Sequence, residues 1–211
     1  DPKRFPPRNI LAAISRSKAK LVDADNLKLE SGSYYEEIVA QIFSRYQTLI
    51  SSSHGLDFDD LLVKTIDLFT YVPEVLAKYQ SRFRYLLVDE FQDTNLAQYQ
   101  LSKMIVSNSR NLCVVGDPNQ SIYAWRNADI GNILSFQQDF PDSKVVSLDQ
   151  NYRSTKNILE AAQNLILVNK QRLEGELFTD NPKGKPVVIA EAYTEEEEAQ
   201  AVLNEISRIN K

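Results

Sequence analysis

The sequence predicts an α/β fold, a parallel sheet flanked by helices and preceded by a helical segment. Three observations lead there. From residue 84 onward, the short apolar runs YLLVD, NLCVVGD, KVVSLD and KPVVIAEA alternate with stretches of helical periodicity. Runs that are apolar on both faces and separated by helices are the pattern of a parallel sheet covered on both sides. The first three runs end in the polar clusters DEFQD, GDPNQS and DQNYRS, and open parallel sheets bind ligands at the carboxyl ends of their strands. Residues 1–55, by contrast, read as helical.

In chain order, Tyr35, Ile38, Val39, Ile42, Phe43, Tyr46, Leu49 and Ile50 recur at three-and-four spacing, which puts them on one helix face. Ser33 and Glu36 form a capping-box pattern at its start, and SSSHG ends it in a loop. A second helix begins near Asp57, with Phe58, Leu61, Leu62, Thr65, Leu68 and Phe69 on its inner side. Pro73 suits the first turn of another short helix. The helices between the strands are TNLAQYQLSKMIV, IGNILSFQQDF and STKNILEAAQNLILVNK, the last with Ser154 as N-cap. Thr194 with Glu197 caps a final helix, and the EEEE run is most simply charge placed at a positive helix end.

A length of 211 residues allows one large domain or two small ones. The net charge of -5 gives nucleic-acid binding no support, although binding depends on local patches. One such patch is the start, where Lys3, Arg4, Arg8, Arg16, Lys18 and Lys20 stand against Asp1 alone, either as a solvated face or as a phosphate-facing one. The single cysteine, Cys113, excludes an internal disulfide and fits a reducing compartment. With His54 as the lone histidine, a His/Cys zinc site is excluded too. No stretch approaches ~20 consecutive apolar residues, and no signal peptide is visible, so a cytoplasmic setting is expected. The sequence opens without an initiator Met and ends on a helical pattern at Lys211, which suggests a piece of something longer.

The strand ends carry the chemistry. Asp89 and Glu90 sit at the tip of an apolar run, where Mg²⁺ with a phosphate substrate needs one or two carboxylates. The neighbouring Glu can orient or deprotonate an attacking water. In the second cluster, the Gln120 amide suits a terminal phosphate or the attacking water. Tyr123 and Trp125 beside Arg126 suit a stacking platform for single-stranded bases, or else the two rings are core. In the third, Arg153 suits charge developing on a transferred phosphoryl group, and Tyr152 offers a ring face for a purine.

Taken together, LLVDEFQDTN, VVGDPNQSIYAWRNA and LDQNYRST, in this order and at these spacings, resemble motifs II, III and IV of superfamily 1 DNA helicases, in particular the UvrD/PcrA/Rep group, which moves 3′ to 5′ on single-stranded DNA. LDFDDLL at 56–62 also resembles the segment that group carries upstream of motif II. The resemblance implies a RecA-like sheet, part of a P-loop NTPase fold, and an enzyme that uses ATP and Mg²⁺. Its partners would be single-stranded DNA and single/double-strand junctions. It makes Asp89 the Mg²⁺-binding Asp, Glu90 the catalytic base and Gln120 the residue that couples the γ-phosphate to the DNA site. Tyr123 and Trp125, with Arg126 beside them, match the base-stacking aromatics. Tyr152 matches the adenine-stacking Tyr and Arg153 the γ-phosphate arginine.

The resemblance also implies missing parts. No G-x-x-x-x-G-K-[ST] occurs in the chain; the Q motif, Walker A and motif Ia are expected before Asp1, and motifs V and VI and the 2B insertion after Lys211. The expected organisation is a helical 1B insertion at 1–55, the C-terminal half of the first RecA-like domain at 56–147, and the start of the second at 148–211. The piece alone is expected to lack meaningful ATPase activity. Two rival readings are a metal-dependent nuclease built on Asp89, Glu90 and Asp93, and a non-catalytic single-strand-binding module using the basic start and the Tyr123/Trp125 platform.

Overall fold

The computed structural model describes residues 3–169, 175 and 177–210. Asp1 and Lys211, and the end of the helix expected to reach Lys170, lie outside the described residues. The chain folds as two compact units, Asp1–Lys144 and Val145–Lys211.

The first unit opens with α1 (Pro7–Ala19), α2 (Ala24–Glu30) and α3 (Tyr34–Ser52). Pro7 occupies the first turn of α1, where its missing N–H costs no hydrogen bond. Ile10 and Ile14, one turn apart on α1, pack with Val39 and Phe43 of α3 as a buried cluster, flanked by Phe5, Leu27 and Tyr46. The buried face of α3 is narrower than its apolar periodicity predicts: Tyr35, Ile42 and Leu49 are exposed. The Ser33 hydroxyl accepts the Glu36 N–H, but the Glu36 carboxylate accepts the Gly32 N–H, so the expected box closes one residue early.

Next come α4 (Phe58–Tyr71) and α5 (Pro73–Arg82). On α4 the inner stripe is Asp60, Ile66 and Phe69, while Phe58, Leu61 and Leu68 are exposed. The helix is rotated from the expected register because a charge turns inward. Lys18, expected in a basic patch, is instead buried, with its Nζ 2.7 Å from Asp57 and 2.8 Å from Asp60. Asp57 and Asp60 also form a reciprocal capping box at the start of α4.

The sheet of this unit consists of β1 (Leu86–Val88) and β2 (Leu112–Val114), paired in parallel with Leu86 opposite Leu112 and Val88 opposite Val114. Parallel strands need a crossover, and α6 (Leu96–Val106) supplies it, started by an Asn95/Gln98 capping box. The sheet departs from the expected two-sided burial: Leu87 is 74% exposed and its register partner Cys113 is exposed too. Side chains alternate between faces of a strand, and the described helices cover one face only.

The expected helix IGNILSFQQDF is two single turns, α7 (Gly131–Leu134) and α8 (Phe136–Asp139), separated at Ser135. The Ser135 hydroxyl bonds back to the Gly131 carbonyl, a contact that competes with helix continuation. Phe136 then reaches the buried Phe91, edge to face with ring centres 5.6 Å apart, and Tyr99 meets Phe91 at 5.2 Å. This aromatic cluster fixes the turn that follows β1.

The second unit contains α9 (Lys156–Ile166) and α10 (Glu195–Ile209). Neither KVVSLD nor KPVVIAEA is a strand. Val145, Val146, Val188 and Ile189 are exposed, and the described residues offer only an isolated parallel bridge, Gln150 to Phe178. An apolar run becomes a strand only with a neighbour to bond, and none is described here. Ser154 does not cap α9. Thr155 holds the N-cap position without a side-chain bond, and Asn151 Oδ1 accepts the N–H groups of Arg153 and Ser154 just before it. Thr194 caps α10 as expected, accepting the Glu197 N–H, with Glu195–Glu198 in its first turn. Among the described residues, no helix is long and apolar enough to cross a membrane.

Candidate functional site

Asp89 and Glu90 leave the tip of β1 directly. Asp89 Oδ1 accepts the N–H of Glu90 at 2.9 Å, which folds the carboxylate over the bend. Glu90 itself is left-handed, φ 49° and ψ 45°, a conformation that costs a non-glycine residue about 1–3 kcal/mol. The reversal throws the following residues into the 3₁₀ turn Phe91–Asp93, whose Phe91 is fully buried in the aromatic cluster. Asp89, Glu90 and Asp93 line one cleft of about 430 Å³, with Val88, Thr94 and Gln98.

Gln92, in the same turn, is buried at 1% exposure. Its Nε2 donates to Glu90 Oε2 at 2.8 Å, and its Oε1 accepts the N–H of Asp117 at 3.1 Å. Asp117 lies three residues past β2, whereas Asp89 directly follows β1. Asp117 Oδ1 accepts the Asn119 N–H, and its Oδ2 accepts from Gln120 Nε2 at 2.9 Å, within the 3₁₀ turn Pro118–Gln120. The two strand-end turns are therefore joined by the Gln92 side chain on the Asp117 backbone N–H. Gly116 permits the approach, since a Cβ there would stand 2.5 Å from Gln92 Oε1 and 3.1 Å from the Phe91 nitrogen.

Beyond it, the 3₁₀ turn Ala124–Arg126 presents the aromatic pair. Tyr123 and Trp125 have ring centres 6.2 Å apart, tilted by 55°. The Arg126 guanidinium lies 4.6 Å from the Trp125 ring centre and 5.3 Å from that of Tyr123. Trp125 is 72% exposed, so the core alternative for this ring is excluded. Asn127, left-handed at φ 68°, closes the turn and donates to Ser15 on α1. Ser15, Arg16, Asp59, Asn95, Trp125 and Arg126 border a second cleft of about 300 Å³. Burial pushes the Asp59 carboxyl up, against the lowering effect of its Ser15 hydrogen bond.

In the second unit, Tyr152 is 78% exposed and its hydroxyl donates to Gln150 at 2.6 Å. Arg153 is exposed, its backbone held by Asn151. The first unit thus brings together Asp89, Glu90 and Asp93 in one cleft, with Gln120 tied to Glu90 through Asp117 and Gln92. Its aromatic platform stands on the same segment as Gln120.

Sequence reasoning missed the parts that hold these residues. Gln92 carried a signal only in being the amide of a carboxylate-rich turn. The Lys18–Asp57–Asp60 network, which also takes in the Gln47 amide and the Tyr46 hydroxyl, joins segments whose sequence separation hides the contact. Asp57-x-x-Asp60 was readable as a cap; its cation was not. For the nuclease alternative, no group of three His, Cys, Asp or Glu side chains among the described residues converges as metal ligands. A single carboxylate suits a cation that fills its shell with water and phosphate oxygens, and Asp89 has Oδ2 to offer, its Oδ1 being engaged by a backbone N–H.

The first unit therefore presents a small parallel sheet whose first strand ends in carboxylates, linked to an amide turn and followed by an exposed aromatic pair. The UvrD/REP helicase N-terminal domain matches residues 1–141, and the UvrD-like helicase C-terminal domain matches 146–211. The chain belongs to the UvrD-like helicase family. Among its relatives, the ATP-dependent DNA helicase PcrA of Staphylococcus aureus is 49% identical over 208 residues and that of Staphylococcus epidermidis 48%. Each alignment takes in 99% of this chain, which spans 28% of the length of these curated relatives.

Proposed function

We propose that the chain is part of an ATP-dependent 3′–5′ DNA helicase. In this reading, 1–55 is a helical 1B insertion, 56–147 belongs to a first RecA-like domain, and 148–211 begins a second. Asp89 would hold Mg²⁺, which would offset charge on the phosphate oxygens. Glu90 takes a proton from the attacking water. That water adds to the γ-phosphorus while the bond to the bridging oxygen of ADP breaks. Gln120 contacts the terminal phosphate, Tyr152 stacks on adenine, and Arg153 meets the charge on the transferred phosphoryl group. Tyr123, Trp125 and Arg126 stack the bases of single-stranded DNA, including at junctions with duplex. The setting is cytoplasmic.

The observation that carries this reading is Glu90. It is held in a costly left-handed backbone at the tip of β1, beside Asp89 in a cleft, with its carboxylate anchored by a buried amide. Left-handed residues also occur at Leu21, His54, Arg110 and Asn127. What sets Glu90 apart is that its position at a strand tip joins this conformation to a cleft, a neighbouring carboxylate and a buried amide, and strained residues cluster at active sites. In the full-length protein, Glu90→Gln is expected to lower DNA-stimulated ATP turnover by about 10²–10⁴-fold while nucleotide still binds. Normal turnover in that variant removes Glu90 from the role. The 211 residues alone, without a G-x-x-x-x-G-K-[ST] cradle, are expected to show no meaningful turnover. For this piece by itself, single-strand binding without catalysis is the expected activity, favoured by the exposure of Trp125.

A further inference from the structure

We propose that Gln92 is a positioning residue that couples the Glu90 carboxylate to the Asp117–Gln120 turn, an inference that rests on the role of Glu90 given above. A glutamine on a turn is ordinarily solvated; this one is 1% exposed, and both ends of its amide are used. The Nε2 end holds Glu90 Oε2 at 2.8 Å and lies 3.5 Å from Asp93 Oδ2. The Oε1 end takes the Asp117 N–H at 3.1 Å, and the Gln92 carbonyl accepts the Ser121 hydroxyl at 3.3 Å. A core filler would need none of these bonds, and a simple tie between loops would not need to hold the carboxylate.

The polarity of the amide matters. Only a group with a donor at one end and an acceptor at the other can hold a carboxylate and a backbone N–H together. From Asp117 the connection continues through its side chain to Gln120, and along the chain to Tyr123, Trp125 and Arg126. A shift of the 117–126 segment when a strand occupies the platform therefore pulls on Oε1 of Gln92 and, through the rigid amide, re-aims Glu90. Gln92 touches neither water nor phosphate in this scheme. It fixes where the base points and makes that direction answer to the strand-binding turn.

The test uses the full-length protein with Gln92→Met, which keeps the length and removes both bonds, and Gln92→Glu, which keeps the shape but faces Glu90 with a second carboxylate. Gln92→Met is expected to lower kcat at saturating single-stranded DNA by about 100-fold, with KM for ATP within about twofold because substrate contacts are untouched. Gln92→Glu, which loses the Nε2 donor and repels the Glu90 carboxylate, is expected to lower kcat similarly, again with KM for ATP within about twofold. In both variants the stimulation of turnover by single-stranded DNA is expected to fall by about 10-fold or more, while affinity for single-stranded DNA stays within about twofold of the parent. A purely structural role would weaken nucleotide and DNA binding along with turnover. Parental kcat in Gln92→Met, or parental DNA stimulation in both variants, overturns the proposal. So does failure of both variants to fold, which would make Gln92 a structural tie. Glu90→Gln, measured in parallel, separates the two levels: if it retains turnover the base assignment fails, and if it is inactive while the Gln92 variants behave as parent, only the coupling fails.

Discussion

Lys18 Nζ lies 2.8 Å from Asp60 Oδ1 across 42 residues of sequence, with both side chains buried. Burial alone would raise the Asp60 carboxyl, but the Lys18 hydrogen bond, the Asp57 N–H and the Gln47 amide hold it below the usual carboxylate range. This ion pair, with Asp57 as third member, joins α1 to the start of α4, and removing one partner leaves uncompensated charge inside. Lys18→Met is expected to destabilise the fold by about 3–5 kcal/mol at neutral pH, measured by urea unfolding. The pH dependence has a definite sign. A depressed carboxyl pKa contributes stability that is present above the unfolded value and lost as pH falls through the folded one. The parent should therefore weaken below about pH 4, and the gap between parent and variant should narrow there, because the unpaired Asp60 of the variant favours protonation.

Tyr46 provides an alkaline counterpart. Its hydroxyl donates to Asp57 at 3.0 Å, and burial followed by that bond pushes its pKa from 10.0 up to about 12. A group whose folded pKa is raised contributes stability that is whole below its unfolded value and lost as pH rises through the folded one. The difference in stability between parent and Tyr46→Phe is expected to be constant up to pH 10 and to shrink between pH 10 and about 12. Taking the difference cancels the other tyrosines, including Tyr99, which burial and Asp139 also push up. A flat difference through that window would remove Tyr46 from the network.

How far such contacts could be read from sequence depends on how local they are. Pro73 at the start of α5, Thr194 at the start of α10 and the two apolar runs that became β1 and β2 were all legible, because each signal lies within one element. The runs around Val146 and Val188 are apolar like β1, yet no strand forms there; pairing is a property of neighbours, which a run does not carry within itself. The stripe of α4 was misjudged because Asp60 faces inward only when Lys18 is there to meet it. At the site, Asp89 and Glu90 stood out because they directly follow an apolar run. Gln92 did not, since an amide in a polar turn has the same appearance whether it is buried or wet.

Trp125 is the only tryptophan in the chain, and it is largely exposed. Trp125→Ala is expected to change stability by less than about 0.5 kcal/mol while weakening single-stranded DNA binding by about 1–3 kcal/mol. Fluorescence of the parent reports the same event directly, because a base stacked on the indole quenches it. Binding unaffected by the substitution, with parental fluorescence unchanged by saturating DNA, would exclude the platform.

Gly116 separates the two strand-end turns by the width of a missing methyl group. Gly116→Ala is expected to cost about 1–3 kcal/mol in thermal or chemical unfolding, because the new Cβ collides with Gln92 Oε1, which the Asp117 N–H holds, and stands tight against the Phe91 nitrogen and Ile133 Cδ1. A variant as stable as the parent would show that the turns can separate without loss.

The left-handed backbone at Glu90 has one more consequence. Glycine or asparagine would rest there more comfortably than glutamate does, so a library screened for heat tolerance alone should be drawn to position 90. Its winners would outlast the parent in the test tube and lack the carboxylate that we propose takes a proton from water.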